Sequence, residues 1–220
     1  MCGRFSLFSP APVLAEAFDL AGLPELAPRY NIAPTQPVAA VRAGEAGRQL
    51  VRLRWGLVAP WAKDTKVAPI NARSETAADK PLFRAALRKR RYLVPASGFY
   101  EWLALAGEKR KQPYCFRPGD ERPWAFAALW ERWQGPDGLV ESCAILTTAA
   151  NELVRPVHDR MPVILPERHW AAWLDPQVQG AAAVVPLLWS YPAEAMRAYT
   201  VGLLVNNPRN DGPECLTKAV

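Results

Sequence analysis

From Tyr92 to Thr147 the chain reads as one strand after another, and no other feature narrows its fold as far. Segments 92–95, 98–105, 112–117 and 124–133 are short and rich in aromatic and β-branched residues. Gly135-Pro136-Asp137-Gly138 supplies a turn into a further strand over 139–147. Upstream, 37–43 and 48–55 flank Gly44-Glu45-Ala46-Gly47. There Val51, Leu53 and Trp55 alternate with Arg52 and Arg54, the period of a half-buried strand. A last strand or two is expected within 196–206. Helical spacing is confined to short pieces. Ser9-Pro10 reads as the cap of a helix carrying Leu14 and Phe18, with Gly22 as its stop. Others are expected over 80–90 (Phe83, Leu87), 149–155 and 166–174 (Trp170, Trp173, Leu174). Antiparallel strands with interspersed short helices make the chain α+β.

With 220 residues, half of them hydrophobic, the chain can bury a core without staples, and no repeat or composition break divides it. A single domain over 1–220 is expected. Cys2, Cys115, Cys143 and Cys215 form no C-x-x-C pair and the chain has only two histidines, so neither a metal site nor a cofactor is expected. No basic-then-apolar leader and no membrane-length apolar run is visible, which points to a cytoplasmic chain with free thiols. The net charge of +6 is compatible with a polyanionic partner.

The residue with the most chemical consequence is Cys2. Aminopeptidases remove Met1 when the next side chain is small, so a mature chain opening on Cys2 is expected. Its terminus would be a 1,2-aminothiol. Near neutral pH part of that amine is unprotonated and can condense with an aldehyde. The adjacent thiol then closes onto the imine as a five-membered thiazolidine, favoured by its high effective concentration.

Four other segments carry candidate chemistry. In Tyr30-Asn31-Ile32-Ala33-Pro34 the asparagine reads as a turn residue bonding its own backbone. In Asn71-Ala72-Arg73-Ser74-Glu75, extended backbone would put Asn71, Arg73 and Glu75 on one face, with an Arg73/Glu75 salt bridge as the plain alternative. In Gly98-Phe99-Tyr100-Glu101-Trp102, neither strand face is polar, so Glu101 is either near an edge or buried, and burial would raise its pKa toward neutrality. His158, beside Asp159 and Arg160, reads as a strand-entry site. The basic runs Arg88-Lys89-Arg90-Arg91 and Lys109-Arg110-Lys111 read as a helix C-terminus and a hairpin tip. Aromatics such as Trp55 and Trp61 could stack bases, with one of the two expected to be buried.

Taken together, MCGRF, NIAPT, RWGLVAPW, INARSET, RRYLVPASGFYEW, KQPY, FAALWE, LTTAAN, VHDRMPVIL and VNNPRNDGPE resemble the SRAP (SOS response-associated peptidase) family, in the family's order and over most of the chain. The resemblance implies a curved antiparallel, barrel-like sheet with flanking short helices. It implies an abasic-site sensor and shield, active in the DNA damage response, that cross-links to abasic sites in single-stranded DNA through Cys2. Asn71 would position the terminal amine and sugar, Glu101 would act as acid and base at the imine, and His158 would assist sugar opening and adduct reversal. Arg4 and Arg73 would hold phosphates, and Pro34, Trp61 and Thr148 would line the DNA path. A monomer, associated with the nucleoid when bound to DNA, is expected. So is autoproteolytic loss of Met1, which the family's name preserves. Tyr92 stands where many relatives have cysteine.

Two other classes remain compatible with the residues. An N-terminal-nucleophile amidohydrolase would use the same freed Cys2 with its own amine as base. A non-catalytic single-strand-binding module would need neither Cys2 nor Glu101.

Overall fold

The computed structural model describes residues 2–108 and 110–219. In chain order the strands are β1 (Arg4–Leu7), β2 (Arg29–Ile32), β3 (Pro37–Gly44), β4 (Gly47–Trp55), β5 (Asn71–Arg73), β6 (Arg91–Ala96), β7 (Gly98–Leu103), β8 (Gln112–Pro118), β9 (Trp124–Gly135), β10 (Gly138–Ala149), β11 (Arg160–Pro162) and β12 (Met196–Thr200). Four short helices punctuate them: α1 (Ala11–Phe18), α2 (Pro81–Lys89), α3 (Trp170–Leu174) and α4 (Ala181–Val184).

Strands β10, β4, β3, β6 and β9 pair in that order, and β9 returns to β10 over Gly138–Ile145, so the five close into a barrel. Closure leaves no edge to protect along those strands. β10 is long enough to serve several partners in succession. It runs parallel to β4 at Ser142–Cys143, parallel to β5 at Ile145–Thr147, and antiparallel to β11 at Thr147–Ala149. β5 and β11 thus flank the C-terminal end of β10 on opposite sides, with Thr147 paired to both.

A second sheet has the order β12-β8-β7-β1-β2, which makes the N-terminal strand an interior one. Phe5 of β1 is fully buried and meets Trp55 and Phe126 edge-on, at 5.2 and 5.9 Å between ring centroids, so it fastens this sheet to the barrel. β7 separates two cores. Phe99 belongs to the main one, whereas Tyr100 joins Cys115, Val201, Val205 and Cys215 in a smaller one. The Tyr100 hydroxyl, buried there, donates to the Tyr30 carbonyl at 2.7 Å.

The hairpins expected from the turn residues are present: Gly44 pairs with Gly47, and Gly135 with Gly138. Trp170, Trp173 and Leu174 are buried together, as their spacing implies. Three local expectations are corrected. α1 ends at Phe18 because Asp19 takes a left-handed conformation (φ 49°) and closes the cap; Gly22 lies beyond it. Ser9 does not cap that helix, since its Oγ lies 2.8 Å from Ser97 Oγ. Segment 149–155 is not helical: β10 continues through Ala149, and the chain then turns over 152–157 with isolated bonds such as His158 N–H to the Val154 carbonyl.

Candidate active site

Cys2 precedes β1, whose register with β7 is Arg4 opposite Tyr100 and Phe5 opposite Phe99. Extending that antiparallel register back two residues brings Cys2 alongside Glu101 and Trp102. Cys2 is fully buried, and its Sγ lies 4.0 Å from the Arg4 carbonyl. Burial pushes the thiol pKa far up, and the charge of Glu101 pushes it further, so the thiol stays protonated.

Glu101 is 3% exposed, which resolves the edge-or-buried question raised by its aromatic neighbours. Desolvation lifts its carboxyl to about 7. Asp159 adds to the lift, and Lys111 opposes it. The carboxyl is therefore near half-protonation at neutral pH, the condition for moving a proton either way.

His158 sits just ahead of β11. Its Nδ1 accepts the Arg160 backbone N–H at 2.9 Å and also lies 3.0 Å from Asp159 Oδ1. Those two contacts demand opposite states, because a protonated Nδ1 could bond Asp159 but could not accept from Arg160. Burial lowers the imidazole pKa, and Asp159 is largely solvent-exposed, so the neutral ring bonded to Arg160 prevails. Its proton is thereby assigned to Nε2. Glu101 and His158 both feel Asp159 and Lys111, and Cys2 feels Glu101. The structure thus brings Cys2, Glu101 and His158 into one electrostatic cluster, with Lys111 as a member that sequence reading passed over as a hairpin tip.

Asn71 opens β5. Its Nδ2 reaches the Ile145 carbonyl at 3.4 Å, while its Oδ1 is buried without a hydrogen-bond partner among the described residues. Such an acceptor costs about 1–3 kcal/mol. It is ready for an incoming amine or hydroxyl. Arg73, two residues on, is exposed and faces Thr147 across the ladder. Glu75 lies beyond β5 and pairs instead with Arg160, at 2.6 and 2.8 Å in a two-pronged contact; Arg160 also donates to the Thr147 carbonyl at 2.7 Å. The expected Arg73/Glu75 salt bridge is therefore replaced by one that joins β11 to the turn after β5. Thr148 is buried on β10 opposite Met161. Asn71, Arg73, Thr148 and His158 thus gather at one end of β10.

Arg4 commits much of its guanidinium to protein groups: Nη1 to Asn31 Oδ1 (2.8 Å) and the Val205 carbonyl (2.7 Å), Nη2 to the Asn206 carbonyl (3.3 Å). Asn31 does not bond its own turn, contrary to the local reading. Its Nδ2 donates to the carbonyls of Val205, Asn207 and Asn210, and Asp211 accepts the N–H groups of Tyr30 and Asn31 at 2.7 Å while pairing with Arg29. β2 thereby straps the segment 205–211 beside Arg4. Pro34 stands in the turn Ala33–Gln36, closed by Gln36 N–H to the Ala33 carbonyl, with Thr35 held at φ 71°. Trp55 is fully buried and Trp61 is 65% exposed, so one of the two is indeed a core residue. Trp61 lies on the loop whose next residue, Ala62, accepts from the Trp133 indole, toward the far end of β10. Among the described residues no group of three His, Cys, Asp or Glu side chains could hold a metal ion.

A family model described as SOS response associated peptidase (SRAP) matches residues 1–208. The chain belongs to the SRAP family. Abasic site processing protein YoqW of Bacillus subtilis strain 168 is 42% identical over 222 residues, covering 98% of this chain and 99% of its own. Abasic site processing protein HMCES of Mus musculus is 30% identical, covering 100% of this chain and 76% of its own. Among solved structures, a protein from Bacteroides thetaiotaomicron superposes with a TM-score of 0.89 over the whole of both chains at 24% identity, a likeness of fold.

Proposed function

We propose that the chain processes abasic sites by covalent capture: once Met1 is gone, Cys2 condenses with the ring-opened aldehyde of an abasic site in single-stranded DNA. The observation that carries this reading is the position of Cys2, buried in an interior strand end with a carboxyl of pKa about 7 acting on it. Relatives named as abasic site processing proteins supply the substrate class.

The chemistry balances with groups in the cluster. The Cys2 amine adds to the aldehyde carbon, and protonated Glu101 donates to the departing hydroxyl, releasing water and leaving an iminium that keeps its N–H, with Glu101 as the carboxylate. The thiol sulfur then adds to the iminium carbon; the S–C bond forms as the C=N double bond becomes single, the thiol proton passes to the Glu101 carboxylate and restores the acid, and the ring closes. His158 presents Nε2–H as a neutral donor to the sugar oxygen as the ring opens. The Asn71 Oδ1 acceptor receives an N–H of the attacking amine. Arg73 offers an exposed cation to phosphate on the same end of the barrel, beside Thr148.

The burial of Cys2 favours this reading over peptidase action. A thiolate is the working nucleophile on an amide, and here the thiolate is strongly disfavoured. An iminium on the residue's own nitrogen is a much stronger electrophile than an amide and accepts attack by the thiol as its proton leaves. Removal of Met1 by an aminopeptidase suffices, and self-cleavage is not required.

The test mixes the protein with an abasic oligonucleotide and resolves the products on a denaturing gel. A retained cross-link is expected, lost in Cys2→Ala and in a protein with a tag left ahead of Cys2. Full cross-linking by the tagged protein would exclude the thiazolidine. Glu101→Gln and His158→Ala should each slow formation or reversal by about tenfold or more. They should shift affinity for intact single strands by less than about threefold.

A further inference from the structure

A cavity of about 440 Å³ opens directly beside the cluster, walled by Gly3, Arg4, Trp102, Arg110, Lys111 and Asn206. Two of its walls are chain neighbours of the reacting residues: Gly3 follows Cys2, and Trp102 follows Glu101. Consecutive Cα atoms are about 3.8 Å apart, so the cavity wall and the reacting residues are adjacent along both strands.

The lining has one sign of charge. Arg4, Arg110 and Lys111 contribute cations, and no carboxylate takes part. Arg4 is spent on Asn31 and on the carbonyls of Val205 and Asn206, so it serves mainly as a wall. Arg110 and Lys111 are exposed and make no ion pair with a described residue. Lys111 is nonetheless held in place, because Gln112 begins β8 opposite Leu103 and its side chain donates to the Val201 carbonyl at 3.0 Å. The Trp102 indole is fixed as well: Nε1 donates to Asn206 Oδ1 at 2.7 Å, and Arg4 lies over the ring at 5.8 Å. Cations around a fixed aromatic wall suit a nucleotide, whose phosphate the cations neutralise and whose base meets the ring.

We propose that this cavity is the subsite for the nucleotide immediately flanking the abasic site, with Arg110 and Lys111 as its phosphate contacts. It rests on the reading of the chain as a binder of lesion-bearing single strands. Arg73 and Thr148 lie at the barrel end of the cluster, and the cavity lies on the β7–β8 side, so the strand passes from one to the other with the lesion between them.

The test is fluorescence anisotropy with single strands carrying a tetrahydrofuran abasic analogue, which has no aldehyde and cannot cross-link. The double variant Arg110→Ala/Lys111→Ala is compared with Arg88→Ala/Lys89→Ala, an equal loss of charge at the end of α2, which packs on β6 and β9. Single strands lose about 0.7 of log–log salt slope per phosphate contact removed. The first variant should therefore flatten the slope by about 0.7–1.4 relative to wild type, while the second leaves it within about 0.3. Equal slopes in the two variants would overturn the subsite. With the analogue placed at one end of the oligonucleotide or the other, the first variant should penalise one arrangement and spare the other. Equal penalties would move the contacts away from the lesion and overturn the placement. Wild-type cross-linking to aldehyde-bearing DNA is scored in parallel. Its absence alongside an intact slope difference would defeat the covalent reading and leave the subsite standing.

Discussion

Replacing Glu101 with glutamine should stabilise the protein at alkaline pH while slowing its chemistry. In the unfolded chain the carboxyl titrates at its ordinary 4.5, and burial raises it to about 7 in the fold. Between those values the folded state holds a proton that the unfolded state has released. Stability therefore falls as pH climbs through that window, and the loss is complete above about 7. One pKa unit corresponds to about 1.4 kcal/mol, so the penalty at pH 8 is about 3 kcal/mol. Glutamine has the same shape and never ionises. Urea denaturation of wild type and Glu101→Gln at pH 5 and pH 8, repeated in a His158→Ala background, isolates the effect, because titration of the groups remote from Glu101 is common to both proteins and cancels in their difference. The variant's advantage should grow by about 2–3 kcal/mol from the lower pH to the higher. An advantage that stays the same within about 0.5 kcal/mol would refute the assignment of a buried, proton-holding carboxyl.

Three further outcomes follow from the packing. Phe5→Ala removes the ring that joins β1 to Trp55 and Phe126 and should cost about 3–5 kcal/mol by chemical denaturation; a loss under about 1 kcal/mol would mean the two sheets are not fastened there. Asn31→Ala strips a partner from three carbonyls and from Arg4, so it should cost about 2–3 kcal/mol and speed amide exchange within 205–211. Exchange unchanged in that segment would refute the strap. By nitrogen-resolved NMR, His158 should titrate below the ordinary 6.5 and carry its neutral proton on Nε2; an Nδ1–H tautomer would contradict the Arg160 bond.

What could be read from the residues alone was whatever depends on near neighbours. Period-two alternation and glycine turns located both hairpins, and the apolar company of Glu101 narrowed it to an edge or a buried position, of which the fold takes the second. The helix expected at 149–155 failed for a tertiary reason, since β10 is held extended through Ala149 by β11, a three-residue strand too short to leave a pattern. β1 was overlooked because an interior strand shows no alternation: Phe5, Ser6 and Leu7 are all buried. Asn31 was misjudged because its partners lie 174 to 179 residues away, where no local rule can reach. The membership of Lys111 in the cluster likewise depends on how β7 and β8 return to β1.

The interior position of β1 has a consequence in time. Once β1 is paired with β7, the residue whose amine must be freed is itself fully buried. That strand is made late: residues 98–103 follow Cys2 by roughly a hundred positions, and synthesis at about 5–20 residues per second leaves an interval of about 5–20 s. Trimming ahead of Cys2 meets an open chain within that interval and a packed one after it. Rapid translation or scarce trimming enzyme would then shift the work from the nascent chain to the folded protein. The yield of competent protein would depend on the pace of synthesis as well as on the fold.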